Sequence, residues 1–253
     1  MVLAAAVVSA EETEKSKWLD DYPKHVGLTW DASAIINTNY LWRGIYVGGL
    51  NLQAEADVGY GGAFVDAWVN IGPTSWKFDA LCPEVDLTVG FARWGFKALI
   101  MHMFYFDGVE NITSECRVGY KVSSKLPLSI LWCTRFWARD FYVGADGEKH
   151  RAYSSYIELG YDFYLPWELT LEARLGMTPW KSFYTGYAGE FAVVNIGFTL
   201  YRDWELAEHC RLRVLGQLML NPWHIDKTNV KWDVKNPWDQ RLNASLGVGV
   251  VFD

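Results

Sequence analysis

The chain has 253 residues, about half of them apolar (51%), and aromatics reach 16%, with 14 Trp and 14 Tyr. No apolar run approaches the roughly 18 residues that a membrane-crossing helix needs. The formal charge of −7, with charged residues dispersed at 21%, leaves no basic patch for nucleic acid. The length would admit two soluble domains, but no linker, low-complexity segment or shift in composition divides the chain, so one domain is expected.

Residues 1–10, MVLAAAVVSA, read as the tail of a secretory signal without its basic start. Val8-Ser9-Ala10 supplies a small-residue cleavage site before Glu11-Glu12. Residues 11–25 are polar, with Pro23 near their end, and predict a periplasmic stub; the barrel domain is expected over 26–253. Period-two alternation then begins and recurs. Strand one, 26–38, sets Leu28, Trp30, Ala32, Ala34 and Ile36 against Thr29, Asp31, Ser33 and Asn37. Strands two (52–60) and three (63–71) flank Gly61-Gly62, a two-residue hairpin turn. Strands four (84–93) and five (96–106) flank Trp94-Gly95, and strands six (114–122) and seven (128–137) flank 123–127. Strands eight (153–164) and nine (168–177) flank Leu165-Pro166-Trp167, and strands ten (191–201) and eleven (211–221) flank a longer segment, 203–209. The last strand, 241–253, has Leu242, Ala244, Leu246, Val248, Val250 and Phe252 on one parity, and Asn243, Ser245, Gly247 and Gly249 on the other.

The fold class expected is therefore all-β: a closed antiparallel transmembrane barrel of about twelve strands. The connections carry that reading. Those after strands two, four, six and eight are short, whereas 39–51, 72–83, 107–113, 138–152, 178–190 and 222–240 are mostly longer. Short turns alternating with long loops are the outer-membrane pattern, turns periplasmic and loops outside. Aromatics fit two girdles: Tyr60, Trp94, Phe96, Trp167, Tyr201, Trp204 and Phe252 at the periplasmic rim, and Tyr40, Trp42, Trp76, Phe106, Trp137, Tyr153, Trp180, Trp223 and Trp238 at or above the outer one. Cys116 and Cys133 fall on opposite parities, and Cys82 and Cys210 at opposite barrel ends, so four free thiols are expected.

The segment Thr38-Asn39-Tyr40-Leu41-Trp42-Arg43-Gly44-Ile45, leading into strands two and three, resembles an uncharacterised family of Gram-negative outer-membrane barrels that carries S/T-N-Y-x-W/F-R-G after its first strand. The chain departs from it in Tyr46-Val47-Gly48-Gly49, where the family has a Ser-rich stretch, and in ending on Asp253 after Phe252. The resemblance implies a bacterial outer-membrane location and barrel topology, and no reaction.

Candidate functional residues are the charges of inward parity. Asp31, Glu55, Asp57, Asp66, Glu84 and Asp86 lie on strands one to four, Lys97, Arg117, Lys121 and Arg135 on five to seven, Glu158 on eight, and Arg211 and Arg213 on eleven. An acidic wall beside a basic one suits a solute channel, whereas the same charges paired would close the lumen. Two enzyme readings are weaker. Glu84-x-Asp86 with His224-x-Asp226 is similar to the carboxylate and Asp–His pairs of omptin-type proteases, without their other motifs. His102, on the lipid-facing parity, shows no serine partner for a lipid-modifying site. In the last loop, Asn221-Pro222-Trp223 and Asn236-Pro237-Trp238 suit either sugar stacking or a plain aromatic girdle. The expected function is a passive channel for small polar solutes, with a non-conducting envelope barrel as the alternative and an outer-membrane hydrolase as a distant one. No catalytic, metal or cofactor site is expected. The expected partners are outer-membrane lipid, lipopolysaccharide and the barrel-assembly machinery, around a monomer.

Overall fold

The computed structural model describes residues 27–74, 77–81, 84–106, 112–138, 140–187, 191–223 and 242–253. The signal tail, the stub, most of the last long loop and Cys82 lie outside them. Twelve strands form one closed antiparallel sheet. They are β1 (Leu28–Asn37), β2 (Asn51–Tyr60), β3 (Ala63–Ile71), β4 (Glu84–Arg93), β5 (Phe96–Tyr105) and β6 (Ile112–Lys121). β7 (Leu128–Ala138), β8 (Ser155–Leu165), β9 (Leu169–Thr178), β10 (Ala192–Ala207), β11 (Cys210–Leu220) and β12 (Leu242–Phe252) complete it. β1 closes the sheet: Ala34 lies opposite Ala54 of β2 on one side and Val250 of β12 on the other.

Alternation decides the two faces. Leu246 is 68% exposed while Asn243, Ser245 and Gly247 beside it are buried, and Val65 and Val89 project outward on β3 and β4. A continuous belt of exposed Leu, Val, Ile and Phe around the sheet far exceeds the apolar patches that a water-soluble surface carries. Lipid is the solvent in which such a belt costs nothing. Closure removes the strand edges that lipid could not satisfy.

The strands join as the loop lengths predict, with one correction. β10 runs six residues past its expected end and turns to β11 through Glu208 and His209 alone. The expected longer connection at 203–209 is thus a two-residue turn, like those at Gly61-Gly62 and Trp94-Gly95. Arg202 falls on the outward parity and interrupts the apolar pattern, because here the strand has left the apolar belt; it pairs with Glu168 at 3.1 Å. The turn-end girdle holds Tyr60, Trp94, Phe96, Trp167, Trp204 and Phe252, all exposed. At the loop end, Phe106, Trp137, Tyr153 and Trp180 are exposed, but Tyr40, Trp42 and Trp223 are not girdle residues: Tyr40 is buried and the other two half-buried, all turned toward the lumen. Trp76 and Trp238 lie outside the described residues. Cys116, Cys133 and Cys210 are free thiols.

Replacing outward Val89 by Arg is expected to lower barrel stability by roughly 2–4 kcal/mol near the midplane. Thr88→Arg, whose side chain enters an acidic lumen, should cost far less. Urea titrations of both variants in lipid vesicles compare them, and equal losses would mean that the faces are misassigned.

Candidate functional site

The loop between β1 and β2 does not stand outside the barrel. Tyr40–Trp42 and Ile45–Gly48 pair as a small hairpin, which two short strands of the next loop, Pro73–Thr74 and Lys77–Leu81, extend into a four-stranded sheet. Its start is tied to the closing strand. Thr38 N–H donates to the Leu246 carbonyl at 2.8 Å, and the Leu246 N–H returns to Thr38 Oγ1 at 2.9 Å. Asn39 Nδ2 donates to the Ala244 carbonyl at 2.7 Å, and Ser245 Oγ donates to the Asn39 carbonyl at 2.8 Å. The chain therefore leaves β1 turning inward, and its next residues descend into the lumen.

The tip is pinned by Arg43. Its guanidinium forks onto Glu115 of β6, Nη1 to Oε2 at 2.8 Å and Nη2 to Oε1 at 2.9 Å, and donates further to Tyr184 Oη at 2.6 Å and Cys133 Sγ at 2.9 Å. The rings of Trp42 and Tyr156 lie 4.9 and 4.7 Å from its centre. Arg117 Nε adds a third donor to Glu115 at 2.6 Å. Such a planar, bidentate pair is what makes a buried charge tolerable, since every desolvated acceptor finds a donor. Burial pushes the Tyr184 hydroxyl up to about 12, against the pull of Arg43, so it stays neutral and accepts the guanidinium's N–H.

Gly44 lets the tip come this close. Its φ is +84°, and a Cβ there would collide with the Val194 carbonyl of β10. Its own N–H donates to Met219 Sδ at 2.8 Å, and its carbonyl accepts from Asn221 Nδ2 at 3.1 Å. Around the tip Ile45, Cys133, Tyr156, Tyr184, Ala192 and Val194 form an apolar cluster, flanked by Trp42, Phe183 and Trp223. Phe183 and Tyr184 come from the loop after β9, so two loops meet inside the wall. Thr38, Asn39, Tyr40, Trp42, Arg43 and Gly44 each make a hydrogen bond or ring contact in this arrangement, and Leu41 pairs with Tyr46 within the hairpin. Leu41 lines the space beneath it.

That space is a cavity of about 340 Å³ on the β1–β6 side of the lumen, roofed by Tyr40, Leu41 and Trp42. Asp31, Glu55, Asp57, Asp66 and Asp86 line it from β1 to β4, and Lys97 and Arg117 from β5 and β6. Five acids against two bases leave it net acidic. Phe64, Trp68, Gln53 and Thr88 fill the intervals. The remaining candidate charges lie elsewhere. Glu84 accepts from Tyr40 Oη at 3.2 Å, beneath the hairpin. Arg135 lies under the Phe183 ring at 4.0 Å. Lys121 binds Asp162 at 3.1 Å, and Arg174 joins Asp162, Glu158 and Glu172. At the turn end Arg213 and Arg211 hold Asp203, with Asp253 on Arg211.

The inward-parity charges thus divide into a cavity on one side and compact ion networks on the other. Arg43, Glu115, Tyr156 and Tyr184, which organise the lumen, were not among the candidate positions. The signal for them was the Tyr-x-Trp-Arg-Gly string, whose aromatics read naturally as girdle residues. Sequence reading also found no serine for His102. In the structure Ser114 of β6 lies directly opposite it, with Oγ 2.7 Å from Nδ1. Ser114 has no exposed surface, however, so its hydroxyl cannot reach a lipid ester. His224 and Asp226 lie outside the described residues, and among those described no three His, Cys, Asp or Glu side chains converge to hold a metal ion.

A closed twelve-stranded antiparallel sheet with an apolar outer belt and a charged lumen defines a transmembrane β-barrel of the outer-membrane type. Comparison of the sequence with protein-family models and with curated proteins gives no match. Among solved structures, the chain is similar to the NanC porin (TM-score 0.48, 8% identity, 89% of this chain and 100% of that one). It is also similar to a FadL homologue from Pseudomonas aeruginosa (0.42, 7%, 91% and 76%) and to OmpF of Salmonella typhi in complex with daunomycin (0.38, 8%, 89% and 97%).

Replacing Arg43 by Met leaves Glu115 buried with only Arg117 and is expected to cost about 3 kcal/mol. Adding Glu115→Gln should recover most of that loss. Thermal melts of the single and double variants in detergent measure both, and strictly additive losses would show that the two side chains do not act as a pair.

Proposed function

We propose that the protein is a passive outer-membrane channel for small polar solutes, narrowed by the inward hairpin of residues 38–50. The observation that carries this reading is the polar cavity beneath the hairpin. A lumen meant only to be filled would be packed solid there, as it is around Tyr156. Instead, carboxylates from four successive strands face one space whose volume lies at the lower end of small-molecule sites. The apolar belt would lie in outer-membrane lipid and lipopolysaccharide around a single barrel, placed there by the assembly machinery. The string Thr38–Gly44 supports grouping the chain with the uncharacterised barrel family that shares it.

A second reading is a non-conducting envelope barrel. The Arg43–Glu115–Arg117 cluster favours it, because it blocks the lumen beside the cavity and is too deeply bonded to move aside easily. Planar-bilayer recording separates the two. Steady single-channel steps are expected from the purified protein, with cations favoured over anions in a salt gradient. In the double variant Asp57→Asn with Asp86→Asn the reversal potential should shift toward anions, with little change in thermal stability. A silent wild-type protein whose stability falls by several kcal/mol in that variant would establish the structural barrel instead.

A further inference from the structure

Two charges on the cavity wall keep bonding capacity that the chain does not use. Asp86 is only 8% exposed and lines the cavity, yet its Oδ1 has no hydrogen-bond partner among the described residues. Glu84, Glu115 and Asp66 surround it with like charge, and the cation that acts on it, Arg117, makes no ion pair with it. Its neighbours are otherwise provided for. Glu84 accepts from Tyr40, and Glu55, Asp66 and Asp57 act on Lys97, the chain's own ammonium. A buried carboxylate oxygen without a donor is costly. Arg117 is the complementary case. It gives Nε to Glu115 at 2.6 Å, but Arg43 already forks onto both oxygens of that carboxylate, so the cluster of two guanidiniums and one acid keeps a net positive charge. Neither Nη of Arg117 makes a bond among the described residues, and its side chain, 22% exposed, lines the same cavity as Asp86. β5 runs between the two: Asp86 lies opposite its Met103, and Arg117 opposite its Leu99. Leu99 and Met101 line the cavity there and carry no charge.

We infer that this cavity seats a small zwitterion, an ω-amino acid whose ammonium lies on Asp86 and whose carboxylate lies on Arg117. The inference deepens the channel reading and rests on it for its biological sense. Three features specify the ligand. An ammonium supplies the donor that Asp86 Oδ1 lacks, and a carboxylate is the acceptor that suits the paired Nη groups of a guanidinium. A plain cation would leave Arg117 unanswered, and a plain anion would leave Asp86 so and meet the acids of β1 to β4. The field agrees with the orientation, since it runs from the Arg43–Glu115–Arg117 cluster to the acidic wall, and a dipolar solute aligned with it gains at both ends. The strands that carry the two charges are separated by β5, two strand spacings or about 10 Å. That leaves room for methylenes between the ligand's charges, and Leu99 and Met101 offer them an apolar floor.

Calorimetric titration of the purified barrel in detergent micelles with 4-aminobutanoate tests this, with butylamine and butanoate as analogues that each keep one charge. Saturable binding of 4-aminobutanoate is expected, about ten-fold or more tighter than that of either analogue, equivalent to one good ionic contact. In Asp86→Asn that advantage over butanoate should disappear, and in Arg117→Gln the advantage over butylamine. Thermal melts show whether each variant is folded. If Arg117→Gln is not, Asp86→Asn, which removes an unpaired charge, decides alone. No binding of 4-aminobutanoate, equal binding of either analogue, or an affinity unchanged in Asp86→Asn overturns the inference. The channel reading fails separately. Binding of 4-aminobutanoate without any bilayer conductance upholds the seat and removes the channel, whereas conductance without that binding removes the seat and leaves the channel.

Discussion

Backbone N–H and C=O groups immersed in lipid have no solvent to bond, so each strand of this sheet needs a neighbour on both sides. β1 obtains its second neighbour from β12, 205 or more residues away in the chain, and the hydrogen bonds of Thr38 and Asn39 to Ala244, Ser245 and Leu246 continue that seam past the end of the strand. Closure then fixes the rest. It forces one parity of every strand into lipid and the other into a lumen, and it leaves the lumen as the place for the charges of inward parity. The inward hairpin grows directly from the seam. Its direction is set by the bonds that close the barrel.

Within the lumen the chain meets its charges in two different ways. On the β6–β11 side, opposite charges are brought into contact: Glu115 with Arg43 and Arg117, Asp162 with Lys121 and Arg174, Asp203 with Arg213. These pairs are desolvated, and each is held by directed hydrogen bonds, which suits them to rigidity rather than to exchange. On the β1–β4 side, like charges are placed side by side across strands, with aromatic rings between them. The hairpin divides the two regions, packing its Arg43 face into the paired side and presenting Tyr40, Leu41 and Trp42 to the acidic one.

Much of this was legible in the sequence, because period-two alternation reports the distance of a residue from lipid. The twelve strands, their faces, the two-residue turns at Gly61-Gly62 and Trp94-Gly95, and the inward parity of the acids all follow from it. The extension of β10 was not legible, because Arg202 breaks the apolar parity once the strand leaves the membrane, and Asp203, Glu205 and Glu208 then read as a loop. The hairpin was less legible still. Tyr40 and Trp42 belong to no periodic segment, and an aromatic beside a strand end looks the same in sequence whether it meets a lipid headgroup or an arginine inside the wall. What distinguishes them is Gly44, whose φ of +84° and contact with Val194 mark a close approach of two backbones. Neither the approach nor the bulge that sets Ser114 against Trp137 and Glu115 against Arg135 leaves a trace in hydropathy.

A water-filled path along the acidic side of the lumen is the claim on which the functional reading stands, and thiol accessibility at Glu55 tests it most directly. In a Glu55→Cys variant with the native cysteines replaced by serine, a cationic methanethiosulfonate added to either side of a planar bilayer should change the single-channel current irreversibly. An anionic reagent of the same size should react more slowly, because Asp31, Asp57, Asp66 and Asp86 remain around the new thiol. A current that flows but is untouched by either reagent from either side would contradict a path past these residues.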